Sequence, residues 1–324
     1  MDVQKLQRIE NCLAMLHCLE AREPISRKQI SEETGLSLMT VGKLCALLEE
    51  AELISERKED KSESGRRASL CSASPSLACC VINCTDSTYT LTMYTPSGKT
   101  CVSLMHSFAE DIIFEDRFFQ FADRMSEMLQ RIAHVPPASV CLISEGSYEG
   151  GTLTLPNGQR ANVLRAVGKI FPVKRIRIYT PAACAAAALE RSCGSECVAA
   201  VIGKQLSFAL PRGAELPYSS SSVYPNKLRV DGVSLGERLR MMGTPDKECV
   251  YSFLSALDAF FPERHISLFP LAEANGALTC GELCRYAVEN ADLQKKCSTR
   301  TDPLGDMSDG ARLMLLSEIL KKHV

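Results

Sequence analysis

A short polar face near the N-terminus carries side chains that could read DNA. No acidic residue interrupts it, and its members are Ser37, Met39, Thr40 and Lys43. A lysine can bind a phosphate or a guanine edge, and a threonine can bind a phosphate or contact a thymine methyl group. Such residues on one side of a short helix are typical of a segment that enters the major groove.

Three of the cations that follow this face in the sequence lie near the predicted wing. They are Lys61, Arg66 and Arg67. At the tip of a hairpin, side chains of this type could reach an adjacent phosphate backbone or the minor groove. We therefore include them in the predicted DNA-binding set.

These side chains depend on helices whose boundaries are marked in the sequence. Apolar residues recur at intervals of three and four from Val3 to Ala21, which predicts an amphipathic helix. Glu23-Pro24 ends it, because proline disfavours helix at the residue before it. Ser26 is the predicted cap of a second helix over Arg27 to Thr34, with Ile30 as its apolar anchor.

A tight turn separates the second helix from the third. Gly35 supplies the turn, since glycine adopts a positive φ at little cost. Ser37 is the predicted cap of a third helix from Leu38 to about Ala51. Its predicted inward face consists of Val41, Leu44, Leu47 and Leu48.

A charged hairpin is predicted after the third helix. Leu53 to Glu56 is consistent with a strand, and Arg67 to Cys71 could be the returning strand. Helix, helix-turn-helix and hairpin follow one another in the order of a winged helix-turn-helix domain. The alternative is a helical bundle with a solvated loop, and the glutamates of this region favour it. Those glutamates lie at the far end of the third helix and on the hairpin, so we favour DNA binding.

The remainder of the chain alternates between predicted strands and helices. A three-strand meander is expected over residues 77–106, followed by a helix over Glu110 to Ala133. Later helices are expected at residues 162–171, 182–191, 248–261, 279–290 and 309–322, and strands at 139–144, 175–179, 198–202, 206–211 and 265–269. This alternation indicates α/β layering.

Composition excludes several classes of protein. The 324 residues include 37 Lys and Arg against 39 Asp and Glu, so charge alone does not direct the chain to nucleic acid. No stretch is long and apolar enough for a membrane span, and the first ten residues lack the apolar core of a signal peptide, so a cytoplasmic protein without membrane attachment is expected. The 16 cysteines are scattered through apolar segments and are interpreted as buried free thiols.

Other side chains offer weaker chemistry. Cys193 with Cys197 and Cys280 with Cys284 each have a spacing that zinc sites use. The two pairs lie far apart and lack histidine partners, so no metal site is predicted. The histidines have no serine or acid at a recognisable spacing, and no catalytic residue is predicted. Glu145 follows a buried strand, where a solvated loop position is favoured over a ligand contact.

Residues 26–54, which read SRKQISEETGLSLMTVGKLCALLEEAELI, resemble the DNA-binding module of ROK-type transcriptional repressors. Gly65-Arg66-Arg67 stands where that family has a Gly-Arg-Arg/Lys-Pro step, with Ala68 in place of the proline. The resemblance implies a two-lobed, sugar-kinase-like body of the actin-like ATPase type. It also implies dimers or tetramers that bind DNA, and a sugar or sugar phosphate as effector.

The body departs from the kinase members of that family at four places. Residues 81–88 contain no glycine where the family has its first phosphate turn, and only Gly203 remains near the second. Tyr179-Thr180-Pro181 stands where kinase members have an Asn-Asp pair, and proline cannot act as the base. Residues 218–240 contain neither Cys nor His, so the zinc signature of the family has no counterpart.

We therefore predict an α/β protein with a winged helix-turn-helix over residues 1–74 and a degenerate sugar-kinase-like domain over residues 75–324. The expected function is sequence-specific transcriptional regulation, with repression favoured. The expected partners are double-stranded DNA, further copies of the chain in a homodimer or higher oligomer, and a sugar-like effector. No cofactor is expected. The alternative is a divergent sugar kinase with an appended helix-turn-helix.

Overall fold

The computed structural model describes residues 3–58, 69–84, 88–108, 112–132, 136–173, 176–193, 197–203, 205–211, 229–230, 232–242, 245–271, 274–275, 278–290 and 293–323. Its N-terminal part consists of three helices and three short strands. They are α1 (Val3–Ala21), β1 (Ile25–Ser26), α2 (Arg27–Thr34), α3 (Leu38–Glu50), β2 (Ile54–Lys58) and β3 (Ser69–Ala73). The strands form an antiparallel sheet in the order β1-β3-β2.

The ends of α2 and α3 are fixed by the residues that the sequence indicated. Ser26 forms a capping box with Gln29, and Gly35 ends α2 with a φ of 70°. Ser37 caps α3 by accepting a hydrogen bond from the backbone N–H of Thr40. The predicted bounds of α1, α2 and α3 are therefore confirmed, to within one residue at the end of α3.

A five-stranded sheet follows. After a 3-10 turn at Pro75–Leu77, its strands are β4 (Cys79–Asn83), β5 (Thr88–Tyr94), β6 (Thr100–Ser107), β7 (Ser139–Ile143) and, further along, β11 (Ile176–Tyr179). Their order is β11-β7-β4-β5-β6, with β4 to β6 antiparallel and with β7 and β11 parallel to β4. The predicted meander is confirmed. Its first strand, β4, is fully buried, whereas the edge strand β6 alternates between more buried and exposed residues.

Two helices and a small sheet cover one side of this larger sheet. They are α4 (Phe114–Leu129), β8 (Ser147–Glu149), β9 (Thr152–Thr154), β10 (Arg160–Asn162) and α5 (Val163–Ile170). The helix predicted from Glu110 to Ala133 is shorter at both ends, and the small sheet was not predicted. Its strands have three residues each, which is too short for an alternating pattern to stand out.

A second sheet begins after an alanine-rich helix. The helix is α6 (Pro181–Cys193), and the strands are β12 (Cys197–Ile202), β13 (Leu206–Ala209), β16 (His265–Pro270) and β19 (Cys297–Thr299). Their order is β13-β12-β16-β19, with β12 and β13 antiparallel and the other pairs parallel. The remaining elements are β14 (Arg229–Val230), β15 (Val233–Ser234), α7 (Leu235–Met242), α8 (Lys247–Phe260), β17 (Ala274–Asn275), β18 (Leu278–Thr279), α9 (Cys280–Asn290) and α10 (Pro303–His323).

The two larger sheets share one apolar core through α6 and α10. This core joins Val81 and Ile143 of the first sheet to Val201 and Phe269 of the second. The helices approach so closely that a Cβ at Gly310 would overlap the backbone of Cys184. The small residues of α6 therefore permit the contact between the two halves of the body.

The last helix also packs against the N-terminal module. Leu316 and Leu320 of α10 belong to the same buried cluster as Ile9, Ile30 and Leu48. The helix is predicted to begin at Asp309 but begins six residues earlier, at Pro303. Within the described residues, no helix combines the length and apolarity needed to cross a membrane.

Candidate nucleic-acid interface

The N-terminal end of α3 points into solvent. Ser37 and Lys43 are exposed, and Met39 keeps 70% of its surface accessible. Thr40 is half-buried. The structure therefore brings the four predicted members of the α3 reading face together on one accessible surface.

The other side of α3 holds it in place. Val41, Leu44, Cys45 and Leu48 are buried, and Leu47 is half-buried. Leu38 was predicted only as the first helical residue, and it is 57% exposed. An exposed leucine beside Met39 adds an apolar element to this face, of the kind that contacts a thymine methyl group.

Two hydroxyl groups on the face are already engaged with each other. The Ser37 Oγ accepts a hydrogen bond from the backbone N–H of Thr40 at 3.1 Å and lies 2.9 Å from Thr40 Oγ1. Ser37 therefore fixes the start of the helix. Among the four predicted members, Met39 and Lys43 are the exposed side chains within the helix itself.

Arg27 connects α2 to the hairpin behind this face. Its Nε and Nη2 donate hydrogen bonds to the two carboxylate oxygens of Glu56 at 2.7 and 2.6 Å. Ser69 donates a third hydrogen bond to Glu56, at 2.8 Å. Burial opposes ionisation of Glu56, but these hydrogen bonds outweigh it and lower the pKa to about 2. Glu56 is one of the hairpin glutamates, and its charge is matched internally by Arg27.

The predicted cations of the hairpin tip lie outside the described residues. These are Lys61, Arg66 and Arg67. The nearest described cation with an accessible side chain is Arg57, which is exposed on β2. The acids Glu49, Glu50 and Glu52 are exposed at the C-terminal end of α3, so the acid-free surface is confined to its beginning.

Two buried cysteines and Glu56 meet beneath α3. The Sγ atoms of Cys45 and Cys71 lie 3.8 Å apart, and Cys71 Sγ lies 3.4 Å from Glu56 Oε1. The contact with Cys45, together with burial, raises the pKa of the Cys71 thiol far above its usual range. In the part of the chain that the structure describes, these three side chains are the group of potential metal ligands whose donor atoms all lie within 4.8 Å of one another. Sequence reasoning missed them because no short spacing connects the three positions.

At the positions that correspond to the catalytic and phosphate-binding residues of the kinase members, the described residues differ from those of the kinases. Pro181 is the first residue of α6, at the place of the expected base. A Cβ added at Gly203 would lie 2.8 Å from Cδ1 of Leu271, so a leucine fills the space beside that turn. The segment 85–87 of the first phosphate turn lies outside the described residues.

Glu145 and the Cys-x₃-Cys pairs also have defined places. Glu145 is half-buried rather than solvated, and it accepts a hydrogen bond from Ser207 of the second sheet at 3.4 Å. Burial raises its pKa to about 7.

Cys280 and Cys284 are buried on one face of α9, whereas the side chain of Cys193 lies outside the described residues.

Comparison with known proteins finds solved structures that are similar to this chain but no matching sequence family. No family model and no curated protein matches the chain. A ROK family transcriptional regulator, a homologue of the E. coli MLC protein, has 13% identity and a TM-score of 0.53, with 98% of each chain covered. This likeness shows that the chain has the fold of that regulator along nearly its whole length.

Two solved sugar kinases are also similar to part of the chain. A glucokinase from Balamuthia mandrillaris in complex with glucose has 10% identity and a TM-score of 0.49, covering 74% of this chain and 93% of its own. A ROK hexokinase from Thermus thermophilus has 12% identity and a TM-score of 0.47, covering 74% and 98%.

Proposed function

We propose that the chain is a ROK-type transcriptional regulator that binds double-stranded DNA through an N-terminal winged helix-turn-helix over residues 1–74. Three helices followed by a β2–β3 hairpin, with β1 completing the sheet, have the element order of that domain. In this reading α3 is the recognition helix. The hairpin, including Lys61, Arg66 and Arg67, is the wing.

The observation that carries the proposal is the exposed, acid-free start of α3. A recognition helix presents its N-terminal residues to base edges, and here that segment offers Met39, Thr40 and Lys43. The adjacent exposed side chains of Leu38 and Met39 suit contact with thymine methyl groups. The internal pairing of Arg27 with Glu56 removes one acid from the charge that DNA would meet.

Residues 75–324 then form a body without catalysis, which dimerises the chain and senses a ligand. Pro181 at the position of the base and Leu271 beside Gly203 support this assignment. Two copies related by a two-fold axis would present two recognition helices to a pseudo-palindromic operator. A sugar or sugar phosphate is the proposed class of effector, and the cytoplasm is the proposed location because the target is chromosomal DNA.

Selection of duplexes from a random library by the full-length protein tests DNA binding directly. On an enriched duplex, Lys43→Ala is expected to weaken binding about tenfold, and to reduce the dependence of log affinity on log salt by about one unit if Lys43 contacts a phosphate. Lys295→Ala is the matched control, because it removes the same charge from an exposed site on the body. Equal affinity of both variants and the wild type would place the reading surface elsewhere.

Nucleotide turnover separates this proposal from the alternative of a divergent sugar kinase. Incubation of the purified chain with ATP, Mg²⁺ and a panel of hexoses is expected to give no sugar phosphate, because Pro181 cannot accept the proton of a sugar hydroxyl. Sustained sugar phosphorylation that copurifies with the chain would favour the kinase. Sedimentation of the free protein measures whether it is a dimer.

A further inference from the structure

We propose that Cys45, Glu56 and Cys71 form a binding site for a thiophilic divalent cation of the zinc class. The site lies inside the N-terminal module, where Cys45 on α3, Glu56 on β2 and Cys71 on β3 converge. It is separate from the two Cys-x₃-Cys pairs in the sequence. It does not depend on DNA binding, so the two proposals can fail independently.

The distances match the edges of a tetrahedral zinc site. Two thiolates bound at about 2.3 Å to a tetrahedral zinc ion lie about 3.8 Å apart, and a thiolate and a carboxylate oxygen lie about 3.5 Å apart. The Cys45–Cys71 distance is 3.8 Å, and the Cys71–Glu56 distance is 3.4 Å. Two of the three edges therefore match, and the donor atoms of all three side chains lie within 4.8 Å of one another.

The charges around the site also balance. Two thiolates and one carboxylate carry three negative charges, while the metal ion and the Arg27 guanidinium together carry three positive charges. A neutral total matters because both cysteines are fully buried and only 11% of the Glu56 side chain is exposed. Binding releases the two thiol protons to solvent, so that each sulfur donates an electron pair to the metal.

Glu56 is oriented for this role by its own partners. Arg27 and Ser69 both donate hydrogen bonds to its carboxylate. A carboxylate oxygen has two lone pairs, so Oε1 can accept from Arg27 and still bind a metal ion. Hydrogen bonds of this kind fix metal ligands and adjust their affinity. Three protein ligands leave one position of a tetrahedral ion for a water molecule.

A bound ion would tie the proposed recognition helix to the hairpin. Cys45 belongs to α3 and Cys71 to β3, so the metal would add a cross-link between two elements that otherwise touch through apolar side chains. Loading is therefore expected to raise the thermal stability of the N-terminal module.

Cobalt substitution of the full-length protein tests the proposal. The chain is reduced, stripped with a chelator and titrated anaerobically with Co²⁺ and then Zn²⁺. One equivalent of Co²⁺ is expected to give the thiolate-to-cobalt charge-transfer band and intense tetrahedral d–d bands, both of which Zn²⁺ removes. Cys45→Ser and Cys71→Ser are each expected to abolish the charge-transfer band or reduce it severalfold.

Cys18→Ser is the matched control, because Cys18 is buried in the same module and its thiol donates to the carbonyl of Ala14 outside the cluster. It is expected to keep the wild-type spectrum and stoichiometry. Absence of the charge-transfer band from the wild type overturns the proposal, whatever the variants do. An unchanged spectrum in a folded Cys71→Ser variant, judged by circular dichroism, overturns the assignment to this cluster.

Discussion

Arg312 on the last helix donates a hydrogen bond to Glu20 on the first helix at 3.0 Å, across 292 residues of sequence. The guanidinium is almost fully buried, and it also lies 5.3 Å from the centre of the Tyr94 ring. Arg312, which belongs to the last helix, therefore contacts both the first helix and the first sheet of the body. This ion pair joins the proposed DNA-binding module to the body beside the apolar contacts of Leu316 and Leu320.

Replacing Arg312 should loosen this junction. Arg312→Met is expected to lower the free energy of unfolding by roughly 3 kcal/mol, because it leaves the Glu20 carboxylate without its buried cation. Urea denaturation measures the change. Arg124→Met is the control, since the Arg124–Glu127 pair is exposed and should contribute less than about 1 kcal/mol. A similar loss in both variants would mean that the burial of Arg312 has no energetic role, and a Glu20→Gln double-mutant cycle would isolate the coupling.

A second prediction concerns the close contact between α6 and α10. Gly310→Ala is expected to destabilise the body by about 3 kcal/mol, because the added Cβ meets the backbone of Cys184 and cannot be accommodated by a rotamer change. Gly168→Ala on α5 is the matched control, since nothing lies within 4 Å of its Cβ position. That change should instead stabilise by about 0.5 to 1 kcal/mol through helix propensity. Thermal unfolding of the two variants should move in opposite directions.

The parts of the fold that the sequence predicts are those that local interactions decide. The capping serines Ser26 and Ser37 and the turn residue Gly35 lie within a few residues of the groups they bind, so the ends of α2 and α3 follow from them. The start of α10 was missed because its middle is buried on all sides, and the usual apolar stripe is absent. Asp302 accepts a hydrogen bond from the backbone N–H of Gly305, and this start signal was overlooked.

The candidate sites also differ in how far the sequence predicts them. Ser37 to Lys43 could be placed on one surface from helical spacing alone. The meeting of Cys45, Glu56 and Cys71 depends on strand register and on how α3 packs over the sheet, neither of which any local pattern specifies. The Arg312–Glu20 pair forms because the last helix packs against the first, and only the tertiary structure determines that contact.

Ser37 allows helix stability to be separated from DNA binding. Ser37→Asp and Ser37→Asn should both preserve the cap of α3, because all three side chains accept a hydrogen bond from the helix N-terminus. Ser37→Asp adds a negative charge at the proposed DNA surface, so it is expected to weaken binding at least tenfold while its unfolding free energy stays within about 0.5 kcal/mol of the wild type. Ser37→Asn should retain most of the affinity. Titration of a selected duplex and urea denaturation provide the two measurements, and equal affinities of the Asp and Asn variants would remove Ser37 from the interface.

The half-buried carboxyl of Glu145 is predicted to make stability depend on pH. Burial raises its pKa in the folded state to about 7, above the ordinary value of 4.5, while the hydrogen bond from Ser207 acts in the opposite direction. The folded protein therefore binds this proton more tightly than the unfolded chain does. The resulting contribution to stability is fully present below about pH 4.5 and is lost as the pH rises through 7.

Glu145→Gln isolates this contribution, because glutamine stays neutral at every pH. At pH 8 the variant is expected to exceed the wild type in unfolding free energy by up to about 3 kcal/mol, and the difference should shrink towards zero near pH 5. Urea denaturation at the two pH values measures it. Glu127→Gln, which alters an exposed ion pair, should change stability little at either pH. A Glu145→Gln effect of the same size at pH 5 and pH 8 would show that the carboxyl does not titrate between them and would contradict the raised pKa.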